Sequence, residues 1–121
     1  MDVLLVEDEA LVREVLHEEL AEAGLDVASV GSAEEGLDAV EQQGPPPVIV
    51  TDVNLGCGMD GVALAEEAHR RWPGVVVVVM MTGDDRNVAR FRDGLCECCF
   101  LKPFNPQDLL AAVNDRCRLA A

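Results

Sequence analysis

The chain has 121 residues, of which 50% are apolar and 26% are charged, and its formal net charge is −14. This length and composition predict one folded domain, residues 1–121, rather than a disordered chain. The acidic surplus argues against a nucleic-acid partner, because phosphate backbones are bound by an excess of Lys and Arg. No segment approaches the roughly 20 apolar residues that span a bilayer, so we expect no membrane partner.

Five short apolar runs, each bounded by polar or turn residues, are predicted to be β-strands. The second run is the weakest, because Asp26 and Ser29 interrupt it, and we expect it at an edge of the sheet. The runs cover residues 3–6, 25–30, 47–52, 75–81 and 98–101.

The segments that follow the first two runs have helical spacing. Residues 9–23 are predicted to form an amphipathic helix that ends before Gly24. Ser32 and Glu35 form a predicted capping box at the start of the next helix, in which hydroxyl and carboxylate each satisfy a free backbone N–H group of the other residue. The apolar side chains of the first helix are Leu11, Val12, Val15, Leu16 and Leu20.

Three more helices are predicted in the second half of the chain. They cover residues 61–72, residues 85–93 and a segment that begins with Asn105 as the N-cap and Pro106 in the first helical position. A strand followed by a helix, five times over, predicts an α/β fold. We expect a doubly wound parallel sheet of five strands with five helices on its two faces.

Polar residues follow four of the predicted strands. Glu7 and Asp8 follow the first, Asp52 closes the third, Thr82 follows the fourth and Lys102 follows the fifth. The carboxyl ends of parallel strands lie along one edge of an open sheet, where ligands bind, so we expect these side chains to converge. Carboxylates about 4 Å apart repel by about 4 kcal/mol per pair at an effective dielectric constant near 20. A cation relieves that repulsion, and the hard oxygen ligands favour Mg²⁺.

These residue types suit a phosphoryl-transfer site. The carboxylate of Asp52 is a nucleophile that can accept a phosphoryl group as an acyl phosphate. Mg²⁺ offsets the charge on the incoming oxygens, Lys102 supplies a further positive charge, and Thr82 can donate a hydrogen bond from its hydroxyl. Pro103 follows the lysine, and the bond between them can be cis.

The sequence resembles the response-regulator receiver domains of bacterial two-component signalling, the family that includes the chemotaxis protein CheY. By this resemblance Asp52 is the phosphoacceptor, and Thr82 and Lys102 contact the phosphoryl group. The motifs that carry the resemblance are residues 3–9, 50–55, 59–61, 81–83 and 101–104.

The resemblance also implies a flavodoxin-like strand order, 2-1-3-4-5, and a Mg²⁺ cofactor. The metal ligands would be the carboxylates of Asp8 and Asp52 and the backbone carbonyl of Asn54. Glu7 would reach the metal through a water molecule.

The function implied is that of a switch. A histidine kinase or histidine phosphotransfer protein donates the phosphoryl group, and the chain is no enzyme beyond its own phosphorylation and dephosphorylation. The added charge biases residues 85–118 between two states, which controls a downstream protein or a linked output or kinase domain. The family also forms homodimers through this region. Arg90, Phe91, Phe104 and Arg116 are candidates for the partner-facing surface.

The sequence departs from the family pattern in two places. The aromatic residue usual three positions before the lysine is replaced by Cys99, and Phe100 follows it. Either Phe100 substitutes through a shifted strand, or the coupling of phosphorylation to this position is altered; we favour altered coupling, because a shift of one residue turns a side chain to the opposite face. The loop at residues 55–59 is about one residue longer than usual and contains two glycines, which would change access to Asp52.

The cysteine pattern predicts a reduced, cytoplasmic protein, because the count is odd and one pair alone has C-x-x-C spacing. The amino terminus also lacks the features of a signal peptide. In an alternating strand Cys96 and Cys98 would share a face and Cys99 would point away, so we expect structural thiols rather than a metal site. The five cysteines are Cys57, Cys96, Cys98, Cys99 and Cys117.

Two other functions are open to this sequence. An aspartyl-nucleophile phosphatase commonly needs a second carboxylate two residues after the nucleophile, where this chain has Asn54. A receiver-like interaction module that works without phosphorylation is the other alternative, and Cys99 is the residue that favours it.

Overall fold

A five-stranded parallel sheet forms the centre of the computed structural model, which describes residues 1–56, 58–84, 86, 91 and 94–120. The strand order is β2-β1-β3-β4-β5, and every neighbouring pair is parallel. The predicted order is therefore confirmed, including the edge position of the weak second strand. The strands are β1 (Val3–Val6), β2 (Val27–Val30), β3 (Val48–Asp52), β4 (Val77–Thr82) and β5 (Cys98–Leu101).

Four of the five predicted helices are present among the described residues. The helix predicted over residues 85–93 lies outside them, apart from Arg86 and Phe91. None of the described helices is long and apolar enough to cross a bilayer. The helices are α1 (Ala10–Glu22), α2 (Ala33–Gln43), α3 (Gly61–Arg71) and α4 (Pro106–Ala120).

Helices cover both faces of the sheet, which explains why every residue of β1 and β3 is buried and why β1 and the first three residues of β3 are apolar. Alternate side chains of each strand enter different cores. Leu4, Val6 and Met80 belong to the core shared with α2 and α3. Val3 and Met81 belong to the core shared with α1 and α4.

Helix α1 does not bury all the apolar residues that its spacing assigned to one face. Leu16 and Leu20 are buried in the core, whereas Leu11 and Val15 are 78% and 53% exposed. The apolar stripe is wider than the contact between α1 and the sheet, so its outer edge stays on the surface.

The helix starts follow the predicted caps with one difference. The Ser32 hydroxyl accepts a hydrogen bond from the backbone N–H of Glu35 at 3.1 Å and donates one to the Glu35 carboxylate at 3.1 Å. In the predicted capping box that carboxylate instead accepts from the backbone N–H of Ser32. At α4, the side-chain oxygen of Asn105 accepts from the backbone N–H of Gln107 at 3.0 Å, as an N-cap does.

The strand register determines which residues meet at the carboxyl edge. Val6 lies opposite Thr51, so Glu7 leaves β1 beside the end of β3. Asp52 lies opposite Met81, and Thr82 opposite Leu101.

Candidate metal and phosphorylation site

Three carboxylates meet at the carboxyl edge of the sheet. One carboxylate oxygen from each of Glu7, Asp8 and Asp52 lies within 4.8 Å of the other two. The side chain of Glu7 is fully buried, Asp52 is 8% exposed and Asp8 is exposed. The cluster therefore opens to solvent on the side of Asp8.

The ammonium group of Lys102 lies inside this cluster. Its Nζ atom is 3.0 Å from Oε2 of Glu7 and 3.0 Å from Oδ2 of Asp52. The backbone N–H of Lys102 donates to the carbonyl of Thr82 at 2.7 Å, and the bond between Lys102 and Pro103 is cis. With all four groups ionised, three negative charges and one positive charge leave a net charge of −2. One divalent cation would neutralise it.

Burial and the neighbouring charges shift the pKa values of Glu7 and Lys102. Burial raises the pKa of Glu7, the hydrogen bond from Lys102 opposes this effect, and the negative charge of Asp52 adds to it. Burial lowers the pKa of Lys102, but its hydrogen bonds to Glu7 and Asp52 outweigh burial, and the net shift is upwards. Lys102 therefore stays positively charged at neutral pH.

Thr82 and Asn54 are the other two predicted site residues; Thr82 is the last residue of β4, and Asn54 lies in the loop after β3. The Thr82 side chain is buried, and its hydroxyl accepts from the backbone N–H of Asp84 at 3.1 Å and donates to the Asp84 carbonyl at 3.2 Å. Asn54 is exposed two residues beyond Asp52, and its assignment as a metal ligand still rests on that position in the chain.

Helix α3 begins directly against the backbone of Asp52. The N–H of Gly61 donates to the carbonyl of Val53 at 2.8 Å. A Cβ atom on Gly61 would lie 2.2 Å from the carbonyl oxygen of Asp52, so a residue with a side chain does not fit there without movement of the backbone. The Asp60 side chain caps the same helix by accepting from the N–H of Ala63 at 2.8 Å.

Sequence reasoning missed one residue beside the site, Glu34, in the first turn of α2. Its Oε2 atom accepts a hydrogen bond from the backbone N–H of Met59 at 2.9 Å. A Cβ atom on Gly58 would lie 2.9 Å from the same oxygen, and one on Gly56 would lie 3.4 Å from Oδ2 of Asp8. Because Glu34 and Met59 are 25 positions apart, spacing along the chain gives no signal of their contact.

The predicted arrangement of the cysteines is wrong in one respect. Cys96 and Cys99 pack against the same core, on the side of α2 and α3, whereas Cys98 packs on the side of α1 and α4. Alternation fails for Cys96 because β5 begins only at Cys98. Among the described residues, the carboxylate cluster is the one group of three potential metal ligands.

Burial keeps these thiols protonated. It raises the pKa values of Cys96, Cys98 and Cys117 above their ordinary range. Burial, together with the charges of Cys96, Cys98 and Asp52, raises the pKa of Cys99 to about 11. Nucleophilic and metal-binding cysteines are thiolates, so raised pKa values favour structural roles for these residues.

Phe100 does not replace the missing aromatic residue at position 99. Cys99 packs on the side of α2 and α3, whereas Phe100 packs on the side of α1 and α4, so Phe100 points to the opposite face of the sheet. The Phe100 ring packs in the core beside α1 and α4, with its centroid 5.4 Å from that of Phe104.

The predicted partner-facing residues are spread over different environments. Phe91 is half-buried against the core on the side of α2 and α3, and Phe104 is half-buried beside Phe100. Arg116 forms an ion pair with Glu97. Arg90 lies outside the described residues.

The fold and the site together define a doubly wound α/β domain with an acidic, lysine-containing pocket at its carboxyl edge. The family described as the response regulator receiver domain matches residues 3–114 of the chain. The chain belongs to this family, whose members are phosphoacceptor switches of two-component systems.

Known relatives agree with this assignment. The transcriptional regulatory protein PdtaR of Mycobacterium tuberculosis is 37% identical over 115 residues, which are 93% of this chain and 54% of that protein. The DNA-binding transcriptional regulator NtrC of Klebsiella pneumoniae is 31% identical over 112 residues, 91% of this chain and 23% of that protein. The chain thus spans about half of the first relative and about a quarter of the second.

Solved structures of receiver domains have the same fold as this chain. The receiver domain of NtrX from Brucella abortus superposes with a TM-score of 0.83 at 28% sequence identity. The alignment covers 99% of this chain and 100% of that one.

Proposed function

We propose that Asp52 is the phosphoacceptor of this receiver domain, and that it takes the phosphoryl group from a phosphohistidine of a histidine kinase or histidine phosphotransfer protein. The observation that supports this best is the contact of Lys102 Nζ with Oδ2 of Asp52 at 3.0 Å. A fixed positive charge thus lies beside the oxygen that would attack phosphorus. In the transfer, the bond from phosphorus to the histidine nitrogen breaks and a bond from phosphorus to a carboxylate oxygen of Asp52 forms.

The donor set around Asp52 suits Mg²⁺. Glu7, Asp8 and Asp52 offer hard carboxylate oxygens, and the net charge of −2 matches one divalent cation. When bound, Mg²⁺ supplies positive charge that offsets the charge on the phosphoryl oxygens. The exposed side of the pocket, at Asp8, leaves room for the water molecules that this ion retains. We propose the Asn54 carbonyl as the remaining protein ligand.

Lys102 and Thr82 would bind the phosphoryl oxygens after transfer. The Lys102 ammonium already lies at Asp52 and needs only to exchange a carboxylate contact for a phosphoryl contact. The Thr82 hydroxyl would donate to a phosphoryl oxygen instead of the carbonyl of Asp84. The turn at Asp84 would then lose one of its two bonds to Thr82, and residues 85–118 begin immediately after it. We propose this exchange as the first step of the switch.

The phosphodonor has an apolar surface to approach beside Lys102. A cavity of about 510 Å³ lies between α1 and the start of α4 and is bordered by Lys102. Leu11 and Val15 are exposed on this surface, and Pro103 and Phe104 form its other side. Because Lys102 both borders this surface and contacts Asp52, we propose that a donor presenting its histidine to Asp52 docks there.

We propose that residues 1–121 act as one such switch in the cytoplasm, with no catalytic activity beyond phosphorylation and dephosphorylation of Asp52. The output would be a separate protein or a linked domain. The lengths of the relatives favour a linked domain, because the part matched here is 54% of one and 23% of the other.

The test is the intact mass of the protein after incubation with acetyl phosphate, with and without Mg²⁺. We expect a single phosphoryl adduct that depends on Mg²⁺ and is absent from Asp52→Asn. An undiminished adduct on Asp52→Asn would contradict the assignment of the phosphoacceptor. No adduct on the wild type would favour the phosphorylation-independent module. Repeated turnover of small phosphoesters would favour a phosphatase.

A further inference from the structure

We propose that Glu34 is a positioning residue for the phosphorylation site, which holds the chain between Gly58 and Gly61 in the position that the bound metal and Asp52 require. This inference rests on the proposed function. The hydrogen bond that carries this proposal joins Glu34 to Met59 and involves neither the metal ligands nor Lys102. Glu34 would therefore act on the site through the backbone of Met59.

The first step of the argument is the hydrogen bond itself. The carboxylate of Glu34 accepts from the N–H of Met59 at 2.9 Å, and this bond is the main reason why the pKa of Glu34 is lowered. The carboxylate is therefore ionised at neutral pH, and hydrogen bonds to ionised acceptors are stronger than neutral ones. Gly58 approaches the same carboxylate so closely that a Cβ atom would lie 2.9 Å from it.

The second step is that Glu34 projects from a fixed support. Helix α2 is capped by Ser32, whose hydroxyl accepts from the N–H of Glu35. Gly36, in the next turn, brings the helix against β1, where a Cβ atom would lie 3.3 Å from a methyl group of Val6. The chain continues from β1 directly into Glu7 and Asp8. The packing of α2 on β1 therefore fixes the position of Glu34 relative to two of the site's carboxylates.

The third step leads from Met59 to the phosphoacceptor. Met59 is followed by Asp60, which caps α3, and by Gly61, whose N–H binds the carbonyl of Val53 at 2.8 Å. Gly61 leaves no space for a side chain against the Asp52 carbonyl. A displacement of Met59 is therefore transmitted within two residues to the backbone that carries Asp52.

The fourth step concerns the loop on the metal side. Gly56 lies close enough to Asp8 that a Cβ atom would be 3.4 Å from its carboxylate. Gly56 and Gly58 both have positive φ angles, 73° and 89°, so this backbone has little intrinsic preference for one conformation. Two glycines beside Asp8 do not fix the backbone by themselves, and the contact from Glu34 to Met59 supplies an external constraint.

The experiment compares Glu34→Ala, Glu34→Gln and wild type, with Asp38→Ala as the matched control. Asp38 is exposed one turn further along the same face of α2, so its removal costs the same charge without touching Met59. One readout is the hydrogen-exchange rate of the Met59 amide by NMR. The other is the dissociation constant for Mg²⁺, measured from the amide shifts of Gly56 and Gly61.

For Glu34→Ala we expect faster hydrogen exchange at the Met59 amide. We also expect the dissociation constant for Mg²⁺ to rise by about three- to tenfold, because loss of a residue that directly orients a metal ligand costs about 10- to 100-fold and Glu34 acts less directly. Glu34→Gln keeps an acceptor oxygen and should lie closer to wild type, and Asp38→Ala should match wild type.

Two results would overturn the inference. One is unchanged exchange at Met59 in Glu34→Ala. The other is faster exchange at Met59 with Mg²⁺ affinity equal to that of Asp38→Ala. A wild type that binds no Mg²⁺ would instead contradict the proposed function, and the exchange data would still report whether Glu34 holds Met59.

Discussion

Lys102 binds the buried carboxylate of Glu7 at 3.0 Å, the same distance at which it binds Asp52. Glu7 has no access to solvent, so Lys102 is its neutralising partner in the absence of metal. Lys102 thus stabilises the buried charge of Glu7 in the unphosphorylated protein.

Replacement of Lys102 by Met should therefore destabilise the metal-free protein. A fully buried ion pair that loses one partner costs about 3–5 kcal/mol. Because the Lys102 side chain is 25% exposed, we expect a loss of about 2 kcal/mol in the free energy of unfolding, measured with urea. Lys102→Arg, which keeps the charge, is the control and should lose less. Equal stability of Lys102→Met and wild type would show that Glu7 needs no cation.

Mg²⁺ should stabilise the folded protein through the carboxylate cluster. A ligand present at about 100 times its dissociation constant adds about 2.7 kcal/mol to the free energy of unfolding. Asp8→Asn should reduce this gain while changing the metal-free stability little, because Asp8 is exposed. The measurement is thermal unfolding over a range of MgCl₂ concentrations, with NaCl at matched ionic strength. An equal gain in Asp8→Asn would place the ion elsewhere.

Gly61→Ala should disturb the end of β3. Its Cβ atom would lie 2.2 Å from the carbonyl oxygen of Asp52, and forced overpacking typically costs about 1–3 kcal/mol. We expect a loss of that size in urea unfolding and slower phosphorylation by acetyl phosphate. Gly83→Ala is the control for stability, because a Cβ atom there meets nothing within 4 Å. Wild-type stability and rate in Gly61→Ala would contradict the close contact.

Cys99 should resist alkylation in the folded protein. With a pKa of about 11 instead of 9.0, its thiolate fraction at pH 8 falls from about one in ten to about one in a thousand. Iodoacetamide labelling followed by peptide mapping should show Cys99 modified about 100-fold more slowly in native protein than in urea. Fast native labelling would identify a reactive thiol at the position usually held by an aromatic ring.

Local signals in the sequence were sufficient for the strands and for the convergence of the carboxylates, whereas the strand order came from the family resemblance. Apolar runs marked the strands, and the parallel order brought Glu7, Asp52 and Lys102 to one edge although they lie far apart along the chain. Contacts that depend on the three-dimensional path of a loop were not accessible in this way. The bond from Met59 to Glu34 is the clearest case.

Periodicity misled where an element was narrower or shorter than its pattern. Leu11 and Val15 fit the helical period but lie beyond the part of α1 that touches the sheet. Cys96 fits the alternation of β5 but precedes the strand. Hydrophobic spacing predicts which face of an element is apolar, and the neighbouring elements determine how much of that face is buried.

Lys102 is the only lysine among the 121 residues. An amine-reactive reagent therefore has a single side-chain amine to label in this chain, and that amine is the cation of the acidic pocket. Labelling at position 102 would report the occupancy of that pocket without an introduced probe. Conversely, acylation of the lysine in this chain would remove the positive charge from the acidic pocket.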